Sequence, residues 1–292
     1  MPRKSIYFDH LNKKWTSRHR RLQKQLFKSH KESFDWFLDN SRQFAVGTLA
    51  GIFLLTSPAV TQVPVAFSSS QSTQPAQTID KRVFLVYDLK HLLPQEVQPL
   101  TTEQEKAVSE VLTRDFGFSV VSELDGKKLN RAYGLIGQEQ HLKRFPGDTM
   151  YTHFESPQNA NEYWKYGMAQ GLGAYGYFAK SESAMTKTDI QREKYYIAVQ
   201  TFLAPGFNND PKAYNEFFKY RKMLVVNPQN GKAIVADIAD AGPAQWTGKQ
   251  LGGSPEVMRY LGRYDGAQRG PVLYFFIDDP NDTIPLGPVN NL

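Results

Sequence analysis

The sequence predicts a mixed β fold with short helices, placed behind an N-terminal membrane segment. Its 21 glycines and 17 prolines are typical of a chain with many turns and short strands, rather than of a helical bundle. Runs of β-branched and aromatic residues recur in the second half, as in 194–203 (KYYIAVQTFL), and such runs favour strands. The excess positive charge lies entirely at one end. These three observations separate a basic arm from a globular β-rich body.

The basic arm is residues 1–43. It holds eleven Lys/Arg and four Asp/Glu, a net charge of +7, whereas the rest of the chain holds 24 basic and 25 acidic residues, a net charge of −1. Positive charge before a membrane segment indicates a cytoplasmic side, and a near-neutral body argues against a nucleic-acid partner. The arm's mixed aromatic and basic residues fit an amphipathic helix on the inner leaflet, or equally a solvated tail.

An uncharged apolar segment, residues 44–67, follows the arm. Its first part, Phe44–Leu55, has the length of a signal-peptide core, and small residues up to Ala59 provide a cleavage site. The whole segment approaches the roughly 20 residues needed to cross a bilayer. We expect a retained signal-anchor in a single-pass membrane protein, with cleavage and secretion as the alternative. A buried core helix is a third interpretation. Residues 68–80 predict a polar Ser/Gln/Thr linker.

Residues 81–160 predict a small α/β elaboration of unknown role. Its predicted elements are a strand at Val83–Tyr87, a helix capped by Thr101 or Thr102, and a strand within Phe116–Val121. The turn-rich stretch 129–148 gives no assignable element.

Residues 161–292 predict the β-rich domain. The predicted strands are Lys194–Leu203, Met223–Val226, Lys232–Asp240 and Pro271–Asp278, with a hairpin turn at Asn230-Gly231. The predicted helices run from Ser156-Pro157 to about Gln170, from Asp210-Pro211 to Phe218, and over Val257–Leu261 with Ser254 as cap. A polar cap followed by proline is typical of a helix start, and Asn-Gly is the strongest short hairpin signal.

The stretch 225–262 (VVNPQNGKAIVADIADAGPAQWTGKQLGGSPEVMRYLG) resembles the double-psi β-barrel of the rare lipoprotein A and expansin families. The similar features are a valine-rich strand, the Asn-Gly hairpin, the motif Asp240-x-Gly242-Pro243 and a short helix ending in Leu261-Gly262. The resemblance implies a six-stranded double-psi β-barrel that acts on cell-wall polysaccharide. Some relatives cleave peptidoglycan as lytic transglycosylases, and others bind or loosen wall polymers without hydrolysis.

The resemblance makes Asp240 the candidate general acid/base. Strand alternation places Asp240 on one face with Ile234, Ala236 and Ile238, where loss of solvation would raise its pKa as a general acid needs. Asp237 then lies on the other face, so no paired-carboxylate glycosidase site is predicted. The alternative is that Asp240 only caps the following turn.

One departure from the family concerns a histidine that precedes the hairpin in lipoprotein A relatives. Tyr214 occupies that position here, with Tyr220 as a second substitute, and no histidine occurs after residue 153. Tyr214 is therefore the second candidate catalytic residue. His141 and His153 lie earlier, and we interpret each as a surface or core residue.

Aromatic side chains provide candidate sugar-binding platforms. Trp246, Tyr175 and Tyr177 are predicted to bind substrate together with Gly242 of the motif, although such aromatics more often pack a core. No cofactor or metal is predicted, because the chain has no cysteine and shows neither a phosphate-binding loop nor a metal-binding pair of histidines.

The sequence therefore favours a membrane-tethered or secreted protein of the cell envelope that acts on peptidoglycan or a related glycan. Lytic transglycosylase-like cleavage at Asp240 is one hypothesis. A non-catalytic glycan-binding or scaffolding module is the alternative.

Overall fold

The computed structural model describes residues 80–263 and 269–290, and six of their strands close into a β-barrel. The strands are β1 (Val120–Val121), β2 (Glu123–Leu124), β3 (Lys127–Lys128), β4 (Tyr133–Gln138), β5 (Tyr196–Val199), β6 (Lys222–Val226), β7 (Ala233–Ala241), β8 (Leu251–Gly253), β9 (Gly270–Ile277) and β10 (Gly287–Val289). The helices are α1 (Arg82–Leu92), α2 (Thr102–Phe116), α3 (Met150–His153), α4 (Pro157–Tyr163), α5 (Lys187–Lys194), α6 (Pro211–Phe218) and α7 (Pro255–Tyr260). Single 3₁₀ turns lie at Trp164–Tyr166, Glu182–Ala184, Thr201–Leu203, Phe207–Asn209 and Gln245–Thr247.

The barrel closes in the order β9-β4-β8-β5-β7-β6 and back to β9. The pairs β4/β8 and β5/β7 are parallel, and the other four pairs are antiparallel. Two short strands lie outside these six: β1 pairs with β9, and β10 pairs with β7. The predicted six-stranded barrel in a mixed β fold is therefore confirmed.

Alternate residues of the barrel strands pack into two apolar clusters. On β7, Ile234, Ala236 and Ile238 pack in one cluster with Phe218 and Phe276. The neighbouring Ala233 and Val235 pack in another cluster, together with apolar residues of α1 and α2. The period of two along β7 is what the pleat of a strand requires. Because both faces are covered, β7 is apolar on both sides from Ala233 to Ala236, and the buried Asp237 is the first polar residue of the strand.

The regular alternation of β7 stops just before Asp240. The pairing with β5 shifts register there, so that Ile197 pairs with Ile238 but Ala198 pairs with Asp240. A β-bulge of this kind changes the direction of the residue that follows it. The predicted alternation along β7 is therefore interrupted at Ala239, directly before Asp240.

The N-terminal part of the described chain corrects two further predictions. Val83–Tyr87, predicted as a strand, lies in α1, which buries Leu85 and Leu89 completely. These two leucines are four positions apart and share one helix face, so tertiary packing outweighs the β propensity of the segment. Within 81–160, β4 is a strand of the barrel, so the barrel begins before residue 161.

Several predicted elements are confirmed, some with shorter bounds. Thr101 caps α2 with a reciprocal Gln104 bond, Asp210 caps α6 and Ser254 caps α7. Three predicted elements are shorter: α4 and its 3₁₀ turn end at Gly167, β5 covers Tyr196–Val199, and only β1 forms within Phe116–Val121. Gly117 and Gly167 take positive φ angles of 76° and 68°, and such angles interrupt a helix.

Within residues 80–263 and 269–290, no helix has the length and apolar character that a bilayer crossing requires. The predicted basic arm (1–43), the apolar segment (44–67) and the linker up to residue 79 lie outside the described residues.

Candidate functional site

Asp240 is the second-to-last residue of β7, and its carboxylate accepts hydrogen bonds from two backbone amides. Oδ1 accepts hydrogen bonds from the N–H of Ala174 at 2.7 Å and of Ala241 at 2.8 Å. Burial raises the pKa of Asp240 above its usual value, although both hydrogen bonds act in the opposite direction. The side chain is therefore a half-buried carboxyl that keeps its proton to a higher pH than a free aspartate.

The amide of Ala174 belongs to a glycine-rich loop, residues 171–177, that runs close against β7. A Cβ atom added to Gly173 would lie 3.1 Å from the carbonyl oxygen of Ala239, so a side chain there would force the loop and β7 slightly apart. The hydroxyl of Tyr175 in the same loop is buried, and burial together with the charge of Asp240 raises its pKa. The loop thus brings Tyr175 into the electrostatic neighbourhood of Asp240.

Of the other predicted substrate-binding residues, Trp246 and Tyr177 are exposed, whereas Gly242 is buried. Trp246 is 89% exposed on its 3₁₀ turn, and Tyr177 is 38% exposed. Gly242 donates its N–H to the carbonyl of Val199 at 2.9 Å, and its peptide bond to Pro243 is cis. The structure therefore places two exposed aromatic rings on segments that adjoin the Asp240 motif.

Tyr214, the second candidate catalytic residue, makes its contacts elsewhere. Its hydroxyl donates a hydrogen bond of 2.6 Å to the carbonyl of Pro205, and its ring packs against Phe207 and Phe218. Tyr220 is the tyrosine that joins the loop instead, with its ring centroid 6.4 Å from that of Tyr175. Tyr214 thus anchors a loop around α6, and its hydroxyl already has an acceptor.

A second constellation, which the sequence did not predict, lies where β4 ends and β5 begins. His141, His153 and Glu193 are buried, and one potential ligand atom from each lies within 4.8 Å of the others. The distance from His153 Nε2 to Glu193 Oε2 is 3.1 Å, and from His141 Nδ1 to Glu193 Oε1 is 3.5 Å. We refer to these three residues as the His-Glu cluster.

Asp148, Arg144 and Leu142 make hydrogen bonds that orient the side chains of the His-Glu cluster. Asp148 Oδ2 lies 3.1 Å from His153 Nδ1, and the backbone N–H and Nε of Arg144 donate to the same oxygen at 2.9 Å and 3.2 Å. The backbone N–H of Leu142 donates to Glu193 Oε1 at 3.0 Å. Asp148 and Glu193 thus each accept hydrogen bonds from at least two donors.

These partners determine how the buried groups titrate. Burial disfavours the charged form of His153, yet the charge of Glu193 and the hydrogen bonds of Asp148 and Glu193 raise the pKa of His153 to about 9. Burial likewise opposes ionisation of Asp148 and Glu193, but their cationic and N–H partners hold the pKa of each carboxyl below its usual range. At neutral pH, Asp148, His153 and Glu193 are all charged.

A third carboxyl borders this region at the start of α7. Glu256 is buried, and burial together with the charge of Glu193 raises its pKa to about 8. A small cavity of about 20 Å³ is lined by His153, Glu193 and Glu256 among other residues. That volume is enough for about one water molecule.

The two constellations are connected through Leu142. Its backbone N–H binds Glu193, while its side chain packs with Tyr196 and Ala239 and lies against Gly173 of the glycine-rich loop. Asp240 and the His-Glu cluster therefore lie on either side of one small apolar cluster.

The His-Glu cluster joins residues that are far apart in sequence. His141 follows β4 and Glu193 precedes β5, and these two strands come together because both pair with β8. His141 and His153 are twelve positions apart, and Glu193 follows forty positions later. No short metal-binding spacing contains them.

No family model matches this chain, and no curated protein matches it.

Proposed function

We propose that this chain is a cell-envelope protein whose barrel is of the double-psi type and acts on peptidoglycan or a related wall glycan, with Asp240 as general acid/base. The observation that carries the proposal is the half-buried carboxyl of Asp240 at the end of β7, with its pKa raised by burial. The parallel pairs β4/β8 and β5/β7 in a closed six-stranded barrel support the barrel type.

The proposed reaction needs only one carboxyl. Protonated Asp240 gives its proton to the glycosidic oxygen, and the bond between that oxygen and the anomeric carbon breaks. The hydroxyl on carbon 6 of the same sugar attacks the anomeric carbon, and its proton returns to Asp240, which leaves an anhydro sugar end. A hydrolase would need a second carboxyl to activate water, whereas here the sugar supplies its own nucleophile.

Exposed aromatic rings support a polymeric ligand. Trp246 is largely exposed on a turn that follows the Asp240 motif directly. A flat ring on the surface can pack against the C–H face of a sugar ring, and Tyr177 supplies a second ring on the glycine-rich loop. Trp246 follows the Asp240 motif in the chain, and Tyr177 lies three residues after Ala174, whose N–H binds Asp240.

A non-catalytic glycan-binding or scaffolding module is the second candidate function. Two observations favour it: Asp240 holds the backbone of Ala174, which is a structural role, and Tyr214 already donates its hydroxyl to Pro205. In either function, residues 44–67 would tether the protein to the membrane or direct its secretion.

The test incubates the full-length chain, purified in detergent, with peptidoglycan sacculi and analyses the soluble fragments by mass spectrometry. The variant is Asp240→Asn, and the matched control is Asp278→Asn, which changes an exposed aspartate just after β9. We expect anhydro-ended fragments from the wild type and the control but not from Asp240→Asn.

Two other outcomes are informative. Sedimentation of all three proteins with sacculi, without fragments, would support the binding module. No fragments and no sedimentation would refute both candidate functions.

A further inference from the structure

We propose that the His-Glu cluster binds one divalent transition-metal ion of the zinc class, through His141, His153 and Glu193. This site is separate from Asp240 and does not depend on the proposed action on glycans.

The distances in the cluster fit a metal centre. Nitrogen and oxygen ligands bind Zn²⁺ at about 2.0–2.2 Å, which places two ligands of a tetrahedral ion roughly 3.4 Å apart. The measured ligand–ligand distances are 3.1 Å from His153 to Glu193 and 3.5 Å from His141 to Glu193. The two distances involve different oxygens of Glu193, and one ligand atom from each of the three residues lies within 4.8 Å of the others, so a modest contraction of the three side chains would let them surround one ion.

His141 gives the independent observation that points to a ligand. Its side chain is fully buried, and neither ring nitrogen makes a hydrogen bond within the described residues. A buried polar nitrogen without a partner destabilises the fold, and His141 directs its Nδ1 towards Glu193 Oε1. A metal ion would give that nitrogen the partner it lacks.

The surrounding groups match those that orient metal ligands. A ligating histidine commonly donates its other ring N–H to a carboxylate, and Asp148 accepts in that position from His153 Nδ1. Arg144 holds Asp148 in place, and the N–H of Leu142 fixes the oxygen of Glu193 nearest His141. Both nitrogens of His153 therefore have a defined role when a metal is bound.

An ion triad without metal is the competing explanation. Protonated His153 between Asp148 and Glu193 satisfies those three side chains by itself. It leaves His141 with a contact of only 3.5 Å from its Nδ1 to Glu193, and the His141 ring is tilted against that of His153 with a centroid distance of 4.6 Å. A metal ion would bind Nδ1 of His141 as well as His153 and Glu193.

The donor set indicates which ion would bind. Two imidazoles and one carboxylate favour Zn²⁺ or Fe²⁺ over Mg²⁺ and Ca²⁺, which prefer oxygen ligands. The adjoining cavity of about 20 Å³ leaves space for one water as a further ligand, but not for a substrate. We therefore expect the ion to tie the exit of β4, α3 and α5 together rather than to take part in a reaction.

The test measures zinc binding by the full-length chain. Three histidines of the arm, His10, His19 and His30, are first replaced by glutamine, so that the remaining histidines are His91, His141 and His153. The protein is stripped with a chelator and titrated with Zn²⁺ against a chromophoric competitor, with Mg²⁺, Ca²⁺ and anaerobic Fe²⁺ in parallel. We expect one Zn²⁺ per chain, and a melting temperature that rises with Zn²⁺ but not with Mg²⁺ or Ca²⁺.

Variants then assign the ligands. His141→Gln should weaken zinc binding at least tenfold, and Asp148→Asn should weaken it about 10–100-fold, as expected for a residue that orients a ligand. The control His91→Gln changes an exposed histidine of α1 and should leave the affinity unchanged.

The parent protein is the chain in which only the three arm histidines are replaced. Its zinc binding tests the proposed metal site even if a ligand variant does not fold. Absence of stoichiometric Zn²⁺ and Fe²⁺ binding by the folded parent protein, checked by circular dichroism, would overturn the proposal. So would an affinity that falls with His91→Gln and not with His141→Gln in folded protein. Co²⁺ in place of Zn²⁺ supplies a spectrum that distinguishes a four-coordinate from an octahedral site, and an octahedral spectrum would also count against it.

Discussion

Asp240 and Glu193 are both carboxyls beside barrel strands, yet their pKa values move in opposite directions. Burial raises the pKa of Asp240, which has two backbone amides as partners. Glu193 is more deeply buried, but the charge of His153 and further donors lower its pKa. The comparison teaches that depth alone does not decide the charge of a buried carboxyl: the partners of Glu193, one of them charged, outweigh its burial, whereas the two neutral amides at Asp240 do not.

The difference separates a carboxyl suited to chemistry from one suited to holding structure or metal. Burial raises the pKa of Asp240, as a general acid requires. The charge of His153 and the N–H donors hold the pKa of Glu193 below its usual range, so that Glu193 stays charged near neutral pH. The following predictions test this contrast, beginning with the largest effect on the free energy of unfolding.

Glu193→Ala should have the largest effect. Removing this carboxylate leaves the charge of His153 with Asp148 alone and leaves the N–H of Leu142 without an acceptor. Breaking a buried ion pair by deleting one partner costs about 3–5 kcal/mol. Urea unfolding of the metal-free protein at pH 7 measures the loss, with the exposed Glu182→Ala as control. A loss below 1 kcal/mol would contradict the account of the cluster.

Asp237→Asn tests how burial shifts the pKa of a carboxyl that has no hydrogen-bond partner among the described residues. The carboxylate of Asp237 is buried with no hydrogen-bond partner among the described residues, and Arg192 Nε lies 3.5 Å away. Burial raises the pKa of Asp237 well above its usual value, against the opposing charge of Arg192.

Because folded Asp237 keeps its proton to a higher pH than the unfolded chain does, its stabilisation is complete below about pH 4 and is lost as the pH rises through the folded pKa. The stability of the wild type relative to Asp237→Asn should therefore fall by up to about 1.4 kcal/mol per pH unit above pH 4. Unfolding curves of both proteins from pH 4 to 8 measure this difference. A stability difference that does not change with pH would show that the pKa of Asp237 is the same in the folded and the unfolded chain, and would contradict the effect of burial.

Asp240→Ala should cost less than Glu193→Ala. The change leaves the amides of Ala174 and Ala241 without their acceptor, in a region that water can reach, and we expect a loss of about 1–2 kcal/mol. The same urea experiment measures it, with Asp278→Ala as control. Equal losses for Asp240→Ala and Glu193→Ala would remove the contrast between the two carboxyls.

Trp246→Ala should have the smallest effect on stability, within about 0.5 kcal/mol, because the side chain is 89% exposed. It should nevertheless weaken sedimentation with sacculi if the ring contacts glycan. Phe84→Ala, which changes an exposed aromatic residue on α1, is the matched control. Equal sedimentation of both variants would remove Trp246 from the proposed binding surface.

The sequence predicted those parts of the fold whose signals are local. The Asn230-Gly231 turn, the strands on either side of it and the caps at Thr101, Asp210 and Ser254 each depend on a few neighbouring residues. β4 was missed because its glycines, such as Gly134 and Gly137, dilute the strand pattern; they are needed where the side chains of Gln250 and Lys249 cross the strand.

The candidate site follows the same division. Asp240 belongs to a contiguous motif, so the sequence could point to it, although nothing in the motif predicted the bulge directly before it. His141, His153 and Glu193 meet only after β4, β8 and β5 have paired. A cluster assembled from such distant segments leaves no local pattern to detect.

The closure of the barrel by β9 has a consequence for the order of folding. β9 is the last of the six barrel strands in the chain, and it pairs with β4, which lies more than 130 residues earlier, and with β6. During synthesis, β4 and β6 must each wait with one edge unpaired until Gly270–Ile277 leaves the ribosome. Contacts of such long range make folding slow and leave exposed strand edges in the meantime. A truncation before β9 should therefore leave an aggregating chain rather than a smaller barrel.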